Sequence, residues 1–195
     1  MNKNIVGILL AAGQSARFGS QKLLHPLPDT QIPIAVQSAR NLLEVLPNSI
    51  AVIRENDQEL KSLLFETGIR IAENPDAELG MSTSIRCAIQ SHTTSHPDTQ
   101  GWIVTLADMP YIPPYVIKQI ADALRQGARI AAPEYSNQRG HPVGFSCDLT
   151  DELLNLKGDI GAKLIIKKHR RQMQLIETPE IGVLRDIDHT SDMTP

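Results

Sequence analysis

The residues best suited to chemistry lie in one short polar segment near the amino terminus. An apolar stretch that ends at Leu10 has the character of a buried strand and leads directly into a loop of small residues. That loop holds Gly13 and Gly19 together with two cations, Arg17 and Lys22. Glycines let a backbone approach an anion, free N–H groups point at the anion, and the cations neutralise its charge. The segment therefore predicts a triphosphate site in a nucleotide-using enzyme.

This loop does not follow either of two well-known nucleotide fingerprints. The G-x-G-x-x-G pattern needs closely spaced glycines, whereas Gly13 and Gly19 are six positions apart and no third glycine follows closely. The P-loop has four residues between its glycines and a lysine directly after the second, but here five residues intervene and Lys22 comes three positions later. On spacing alone, a glycine-bearing turn with two surface cations stays an open alternative.

A carboxylate after an apolar run supplies a second element. Asp108 follows the run 102–106, so we expect it at the carboxyl end of a strand, where open α/β sheets bind ligands. A carboxylate there is a suitable ligand for Mg²⁺ beside a triphosphate. The alternative is that Asp108 caps the helix that follows.

Two further carboxylates lie in the polar tail of the chain. Asp186 and Asp188 flank Ile187, and residues two apart in an extended segment point to the same side. One of them could therefore meet Asp108 across a metal ion. A solvated turn is the alternative for this segment.

Alternating strand-like and helical segments must position these residues. The alternation predicts an α/β fold of three layers, in which helices flank a mainly parallel, twisted sheet. We find no linker long enough to separate two domains, so residues 1–195 are expected to form a single domain. Short helices are predicted at 149–156 and 160–168. The predicted strands are 5–10, 50–53, 69–72, 102–106, 130–132, Val143–Ser146, 173–176 and 184–187.

Composition narrows the classes of function. The 195 residues are 41% apolar, enough for a sizeable core, and the net charge of −3 gives no electrostatic footprint for nucleic acid. No apolar run reaches the roughly 18 residues that cross a bilayer, and no signal peptide is evident, so no membrane partner is expected. Cys87 and Cys147 match no metal or redox spacing and are expected as buried free thiols, which favours a cytoplasmic location.

Three of these segments together resemble a known family. The run L-A-A-G-Q-S-A-R-F-G-S-Q-K from Leu10 to Lys22 is similar to L-A-x-G-x-S-x-R-[MF]-G-x-x-K, the signature of MobA-like nucleotidyltransferases. The run L-A-D-M-P around Asp108 resembles that family's L-[AGC]-D-[MQ]-P, and the tail from Asp186 resembles D-[IV]-D-T-P-x-D, with His-Thr-Ser in place of Thr-Pro-x. The resemblance implies the Rossmann-like fold of nucleotide-diphospho-sugar transferases and a Mg²⁺-dependent nucleotidyl transfer.

The resemblance also implies roles for individual residues. Arg17 and Lys22 would hold the triphosphate and, with Asp108, carry catalysis, while Asp108 and Asp188 would bind the metal. Catalysis would come from alignment and charge neutralisation, because the acceptor phosphate is itself the nucleophile. The nucleotide-binding residues implied are Leu10, Ala11, Ala12, Gly13, Ser15, Arg17, Lys22 and Ser84.

Motifs in the second half are similar to the branch of the family that acts on molybdenum cofactor. The run G-H-P-V at 140–143 and the segment 156–162 imply a pterin phosphate as acceptor. Ala12 stands where relatives that use GTP carry glycine, and its methyl group would crowd a purine, so CTP is favoured. The implied reaction moves CMP from CTP to the terminal phosphate of molybdenum cofactor, with release of pyrophosphate, and a molybdoenzyme is an implied partner. The acceptor-binding residues implied are Arg139, Gly140, His141 and Asp159.

Other functions remain open at this point. The enzyme could use GTP on the same cofactor, or transfer CMP to a different phosphate, such as a sugar or isoprenoid precursor. A protein of another class could deliver molybdenum cofactor without catalysis. Asp108 and Lys22 argue against that last alternative, because pure binding of the cofactor needs no site for a metal and a triphosphate.

Overall fold

One sheet of eight strands organises the part of the chain that the structure, a computed structural model, describes: residues 4–13, 21–93 and 98–193. The strands are β1 (Asn4–Leu10), β2 (Ile50–Arg54), β3 (Arg70–Asn74), β4 (Thr99–Leu106), β5 (Ile130–Tyr135), β6 (Gln138–Arg139), β7 (Val143–Ser146) and β8 (Met173–Glu177). Their order across the sheet is β3-β2-β1-β4-β7-β5-β6, with β8 paired to β5.

Most of the sheet is parallel, as predicted. β1 pairs in parallel with β2 and β4, and β2 pairs in parallel with β3. β7 is antiparallel to both β4 and β5, so β5 and its parallel partner β8 share the direction of β1 to β4. The carboxyl ends of β1, β2 and β4 therefore meet at one edge, and β7 begins at that same edge.

Helices cover both faces of this sheet and give the predicted three layers. One face carries α1 (Ile34–Val45), α2 (Gln58–Phe65) and α4 (Pro114–Arg125), and the other carries α3 (Met81–Thr93), α5 (Thr150–Leu154) and α6 (Lys163–Lys168). Successive side chains of a strand point to opposite faces, so Ile5 and Leu9 of β1 join the first core and Val6 and Ile8 join the second. β1 is thus buried on both faces, as a central parallel strand must be.

Local residue chemistry sets the start of several helices. α1 follows Pro33, and α4 begins with Pro114, a position that tolerates proline because its N–H would have no partner within the helix. Asp57 caps α2 by accepting a hydrogen bond from the Leu60 N–H at 3.2 Å. Among the described residues, none of the helices is both long and apolar enough to cross a membrane.

The strand predicted at 184–187 is wrong. The chain forms a 3₁₀ helix at Ile181–Leu184 and then an irregular segment. Val183 and Ile187 are fully buried, so the apolar residues that suggested a strand instead anchor this segment to the core. The contact is close, because a Cβ at Gly182 would clash with the carbonyl oxygen of Tyr111.

Two other predictions for the last third need correction. Cys147 is exposed at the start of a 3₁₀ helix, and Cys87 is only half-buried, so the expected burial of the thiols is wrong for Cys147. The predicted helix from 160 begins only at Lys163, because Gly158 and Gly161 adopt left-handed backbone angles, with φ of 71° and 52°, that end a right-handed helix.

Candidate active site

The carboxyl edge of β1, β2 and β4 opens onto a cavity of about 500 Å³. Its lining comes from the end of β1 and the residues after it, from the end of β4 and Asp108, and from the residues around the amino terminus of α3. The cavity brings together predicted site residues from four separate parts of the chain. These residues are Leu10, Ala12, Gly13, Ser84, Asp108 and Asp159.

Backbone hydrogen bonds hold the residues that follow β1. The Ala11 N–H donates to the Val52 carbonyl at 2.8 Å, and the Ala107 N–H donates to the Leu10 carbonyl at 3.0 Å. The chain after β1 is therefore fixed between its two neighbouring strands before the loop begins. The Ala11 side chain is buried in the core on the α1 face and does not line this cavity, whereas Ala12 does. Ser15 and Arg17 lie outside the described residues.

Three carboxylates converge beside this cavity. Asp108, Asp186 and Asp188 each bring one oxygen within 4.8 Å of the others. A backbone hydrogen bond explains their meeting, because the Ile187 N–H donates to the Asp108 carbonyl at 3.0 Å. Ile187 is buried between the two other aspartates and anchors this segment to the core, so both carboxylates stay close to Asp108. All three donors are hard oxygen ligands, which suit a divalent cation such as Mg²⁺ or Mn²⁺.

Lys22 lies among these carboxylates. Its Nζ donates to Asp108 Oδ2 at 2.8 Å and to Asp188 Oδ1 at 3.2 Å. The lysine is only 8% exposed, and burial alone would lower its pKa, but the hydrogen bonds and charges of Asp108 and Asp188 outweigh burial and raise it. A protonated amine next to two carboxylates is a fixed positive charge at the end of the cavity.

A turn at the end of the described chain holds Asp188 in place. The Asp192 carboxylate accepts hydrogen bonds from the N–H groups of Asp188 at 3.0 Å and His189 at 2.7 Å, and these bonds lower the pKa of Asp192. Tyr111 fixes the next residue, since its hydroxyl donates to the Met193 carbonyl at 2.7 Å. Sequence reasoning missed this device, although the aspartate at the end of the D-x-D-x-x-x-D pattern was a visible signal.

Ser84 lies in the first turns of α3 and is tied to β3. Asn74, the last residue of β3, donates through its Nδ2 to Ser84 Oγ at 3.0 Å and to Thr83 Oγ1 at 2.8 Å. Ser84 is largely buried but still lines the cavity. Its hydroxyl is therefore held in one position, as required of a group that contacts a ligand.

The structure separates Asp159 from the other residues predicted to bind the acceptor. Asp159 lines the cavity described above, and its Oδ1 accepts a hydrogen bond from the Met81 N–H, the first residue of α3, at 3.1 Å. The contact is close, since a Cβ at Gly80 would lie 2.6 Å from Asp159 Cα. Asp159 thus caps α3 and lines the same cavity as the residues after β1.

Arg139 is the last residue of β6, and Gly140 and His141 follow it in the connection to β7. The His141 N–H donates to the Val183 carbonyl at 2.8 Å, and a Cβ at Gly140 would come within 2.5 Å of that same oxygen. The register of β7 against β4 pairs Val143 with Val104, so His141 approaches the edge where β4 ends. The segment 183–187 therefore contacts His141 at one end and Asp108 at the other.

The imidazole of His141 is held as a neutral group. Burial lowers its pKa to about 4, and the charges of Arg139 and Lys163 act in the same direction. Its Nδ1 is buried and has no hydrogen-bond partner within the described ranges. A buried polar atom without a partner is costly, so a ligand that hydrogen-bonds to it would be stabilised.

A second cavity, of about 400 Å³, lies beside Arg139. Its walls carry four cationic side chains and one carboxylate, together with apolar side chains of α6 and β8. Such a lining favours an anion with an apolar body. The charged residues are Glu134, Arg139, Lys163, Lys167 and Arg170.

Arg54 is a cavity residue that sequence reasoning missed. It is the last residue of β2, and its Nε donates to the Ala12 carbonyl at 3.0 Å. The sequence carries a signal for it, because Arg54 is a polar residue directly after the apolar run 50–53. It therefore lies at the carboxyl end of a strand, as Asp108 does after β4. Region 50–74 carries none of the family motifs and is predicted to be scaffold, and the position of Arg54 in the cavity corrects that prediction.

Comparison with known proteins decides the family. The profile described as MobA-like NTP transferase domain matches residues 7–173, which is most of the chain. The chain belongs to the MobA-like NTP transferase family. The family resemblance predicted from the sequence is thereby confirmed, and with it the α/β fold and nucleotidyltransferase activity.

Two relatives with a named role are similar to this MobA-like protein. One is the molybdenum cofactor cytidylyltransferase of Escherichia coli (strain K12), which is 30% identical over 137 residues, covering 70% of this chain and 67% of the relative. The other is the purine catabolism protein PucB of Bacillus subtilis (strain 168), 25% identical over 193 residues, covering 94% of this chain and 91% of the relative.

Solved structures share the fold over almost its full length. Rv0371c from Mycobacterium tuberculosis H37Rv superposes with a TM-score of 0.82 at 26% identity, covering 98% of this chain and 96% of that one. A second structure of Rv0371c, in complex with manganese, gives a TM-score of 0.78 at 24% identity, covering 97% and 96% of the two chains.

Proposed function

We propose that the protein transfers CMP from CTP to the terminal phosphate of molybdenum cofactor and releases pyrophosphate. The observation that carries the proposal is the group of Lys22, Asp108 and Asp188 at the end of the cavity formed by β1, β2 and β4. The Escherichia coli relative, named for cytidylyl transfer to molybdenum cofactor, supports both the nucleotide and the acceptor. With this function we expect a cytoplasmic enzyme whose product passes to a molybdoenzyme.

The acceptor phosphate is the nucleophile in this reaction. One of its oxygens forms a bond to the α-phosphorus of CTP, the bond between that phosphorus and the bridging oxygen breaks, and its electron pair leaves with pyrophosphate. The protein therefore has to align two anions and neutralise their charge, which needs no nucleophilic side chain. Lys22 supplies one fixed positive charge for this purpose, and the family resemblance gives Arg17 the same role.

The carboxylates of Asp108, Asp186 and Asp188 fit a divalent cation. Three like charges with oxygens within 4.8 Å repel one another, and Lys22 alone does not balance them. We assign Mg²⁺ to Asp108 and Asp188, where it would neutralise phosphate oxygens of the substrate. The manganese complex of Rv0371c supports a divalent cation in a protein of this fold.

We place the acceptor on the other side of Asp108 from β1. Continuing the register of β4 and β7 by two residues brings His141 level with Leu106, next to the carboxylates. The cationic cavity beside Arg139 suits the phosphate and the apolar body of a pterin, and the neutral His141 offers a hydrogen-bonding nitrogen. Gly140 keeps this region close to the chain at Val183, whereas Asp159 lines the cavity that we assign to the nucleotide.

Pyrophosphate release tests the proposal directly. Purified protein is incubated with each of the four ribonucleoside triphosphates and Mg²⁺, with and without molybdenum cofactor. We expect pyrophosphate release from CTP and from no other nucleotide, and only when the cofactor is present. The same samples should contain a cytosine dinucleotide of the cofactor.

Other outcomes separate the remaining functions. Release with GTP alone would make the protein a guanylyltransferase, and release without the pterin but with a sugar or isoprenoid phosphate would assign another acceptor. Binding of the cofactor with no release by any nucleotide would indicate a delivery protein. Each of these outcomes contradicts the proposed reaction.

A further inference from the structure

The position of Arg54 places it at the far end of the nucleotide cavity from the carboxylates. β2 and β4 flank β1, so their carboxyl ends lie about 10 Å apart, two strand spacings. Asp108 follows β4, and Arg54 ends β2, yet both side chains line the same cavity. A nucleotide whose phosphates lie at Asp108 therefore extends its nucleoside across β1 toward Arg54.

The guanidinium of Arg54 is anchored through one of its N–H groups and keeps others available to a ligand. Its Nε donates to the Ala12 carbonyl, which anchors the side chain to the loop after β1. Its Nη1 is 3.7 Å from the carboxylate of Glu78, which lies in the 3₁₀ helix Ala77–Leu79 and is largely exposed. Within the described residues the Nη groups donate to no hydrogen bond, so several N–H donors face the cavity next to one carboxylate.

From this arrangement we propose that Arg54 and Glu78 recognise the nucleobase and select CTP over UTP. The inference rests on the proposed function for the orientation of the nucleotide. Cytosine presents two acceptors, O2 and N3, beside the N4 amino donor, so it can accept from Arg54 and donate to Glu78. Uracil has the same size, but its N3–H would face the guanidinium donors and its O4 would face the carboxylate. Both contacts become repulsive, which is a strong source of selectivity.

Binding measurements on two variants test this assignment without the acceptor. Calorimetric dissociation constants for CTP and UTP, in the presence of Mg²⁺, are compared in the wild type, Arg54→Met and Glu78→Gln. We expect the wild type to prefer CTP by about 10- to 100-fold, the scale of one bidentate base contact. Arg54→Met should lose most of that preference. In Glu78→Gln the new amide can donate to uracil O4, so UTP binding should improve while CTP binding weakens. Arg40→Met, an exposed arginine on α1, is the matched control and should keep the wild-type ratio.

The alternative outcomes overturn the inference clearly. Equal losses for CTP and UTP in Arg54→Met would mean that the residue only positions the loop at Ala12. A wild type that does not prefer CTP to UTP, or that binds only GTP, would also contradict it. Glu78 is exposed, so its variant keeps the test available if Arg54→Met fails to fold. Because binding is measured without the pterin, a correct base preference with no transfer to molybdenum cofactor would refute the proposed function and leave this inference standing.

Discussion

The two sides of the Asp108 region are built in different ways. On the β1 and β2 side, parallel strands end together, and the residues that follow them line one open cavity. On the β7 and β5 side, an antiparallel strand enters from the same edge, and Gly140 and His141 are held by backbone contacts to the segment at Val183. The first side presents carboxylates paired with a buried lysine, whereas the second combines a cationic cavity with a buried neutral imidazole.

Because of this difference, the two sides suit different ligands. Charged groups at the strand ends suit a triphosphate and its metal, because neutralising charge is the main requirement of phosphoryl chemistry. A buried imidazole beside a cationic cavity suits an acceptor that combines a phosphate with a heterocycle. Val183 to Ile187 connects the two sides, since it bonds to His141 at one end and to Asp108 at the other. Substitutions on the two sides should therefore affect different kinetic constants.

The largest effect is expected from Asp108→Asn on the nucleotide side. The substitution removes a charge from the carboxylate group while keeping the shape of the side chain, so kcat should fall by about 1,000-fold or more, the scale of losing metal-assisted charge stabilisation. Pyrophosphate release measures the loss. Asp122→Asn, in an exposed ion pair on α4, is the control and should keep normal turnover and thermal stability. Near-normal turnover in Asp108→Asn would remove the catalytic role from this carboxylate.

Lys22→Met should give the next largest effect and separates two roles of the lysine. Loss of its positive charge should lower kcat by about 100-fold, as for removal of one stabilising group in a transition state. The same change frees Asp108 and Asp188 from their ion pairs, so Mn²⁺ should bind the variant more tightly than the wild type in the absence of nucleotide. Electron paramagnetic resonance of free Mn²⁺ measures this affinity. Weaker Mn²⁺ binding in the variant would show that the lysine does not compete with a cation for these carboxylates.

His141 tests the acceptor side with a smaller effect on a different constant. With a pKa of about 4 the imidazole is neutral near pH 7, so a neutral amide can replace it as a hydrogen-bonding group. We expect His141→Leu to raise the KM for molybdenum cofactor about 10-fold, the value of roughly one hydrogen bond, and to leave the KM for CTP unchanged. His141→Asn should keep both constants near the wild type. Equal changes in both KM values would erase the distinction between the two sides.

The two sides also differ in how well their structure can be predicted from the sequence. The strands of the parallel half are evident as apolar runs in the sequence, and the ends of those runs are enough to locate Asp108 and the loop from Leu10. The spacing of Asp186 and Asp188 predicts that one of them could meet Asp108, and the structure brings both carboxylates to it. Arg54 was missed although the same strand-end argument applies to it.

The half around β5 and β7 could not be predicted in the same way because its contacts join distant parts of the chain. The antiparallel direction of β7 is fixed by pairing with both β4 and β5, which no local pattern encodes. The segment 184–187 begins and ends with an apolar residue, yet it forms an irregular stretch after the 3₁₀ helix Ile181–Leu184, where Gly182 and Val183 lie against Tyr111 and Gly140. Asp159 lies at α3, and not with Arg139, because its carboxylate accepts a hydrogen bond from the Met81 N–H, which is another contact between distant parts of the chain.

The smallest effect is expected from Asp192→Ala, which tests the turn that holds Asp188 in place. Asp192 contacts neither cavity, but its carboxylate accepts from the N–H groups of Asp188 and His189, so its loss should let the Asp188 carboxylate move. We expect kcat to fall by about 5-fold with the KM for CTP unchanged, because a small misplacement of a positioning group affects the transition state first. Asp192→Asn keeps an accepting oxygen and should restore most of the loss. A fall in thermal stability with unchanged kcat would make the turn a fold element only, whereas a matching rise in both KM values would place Asp192 in substrate binding.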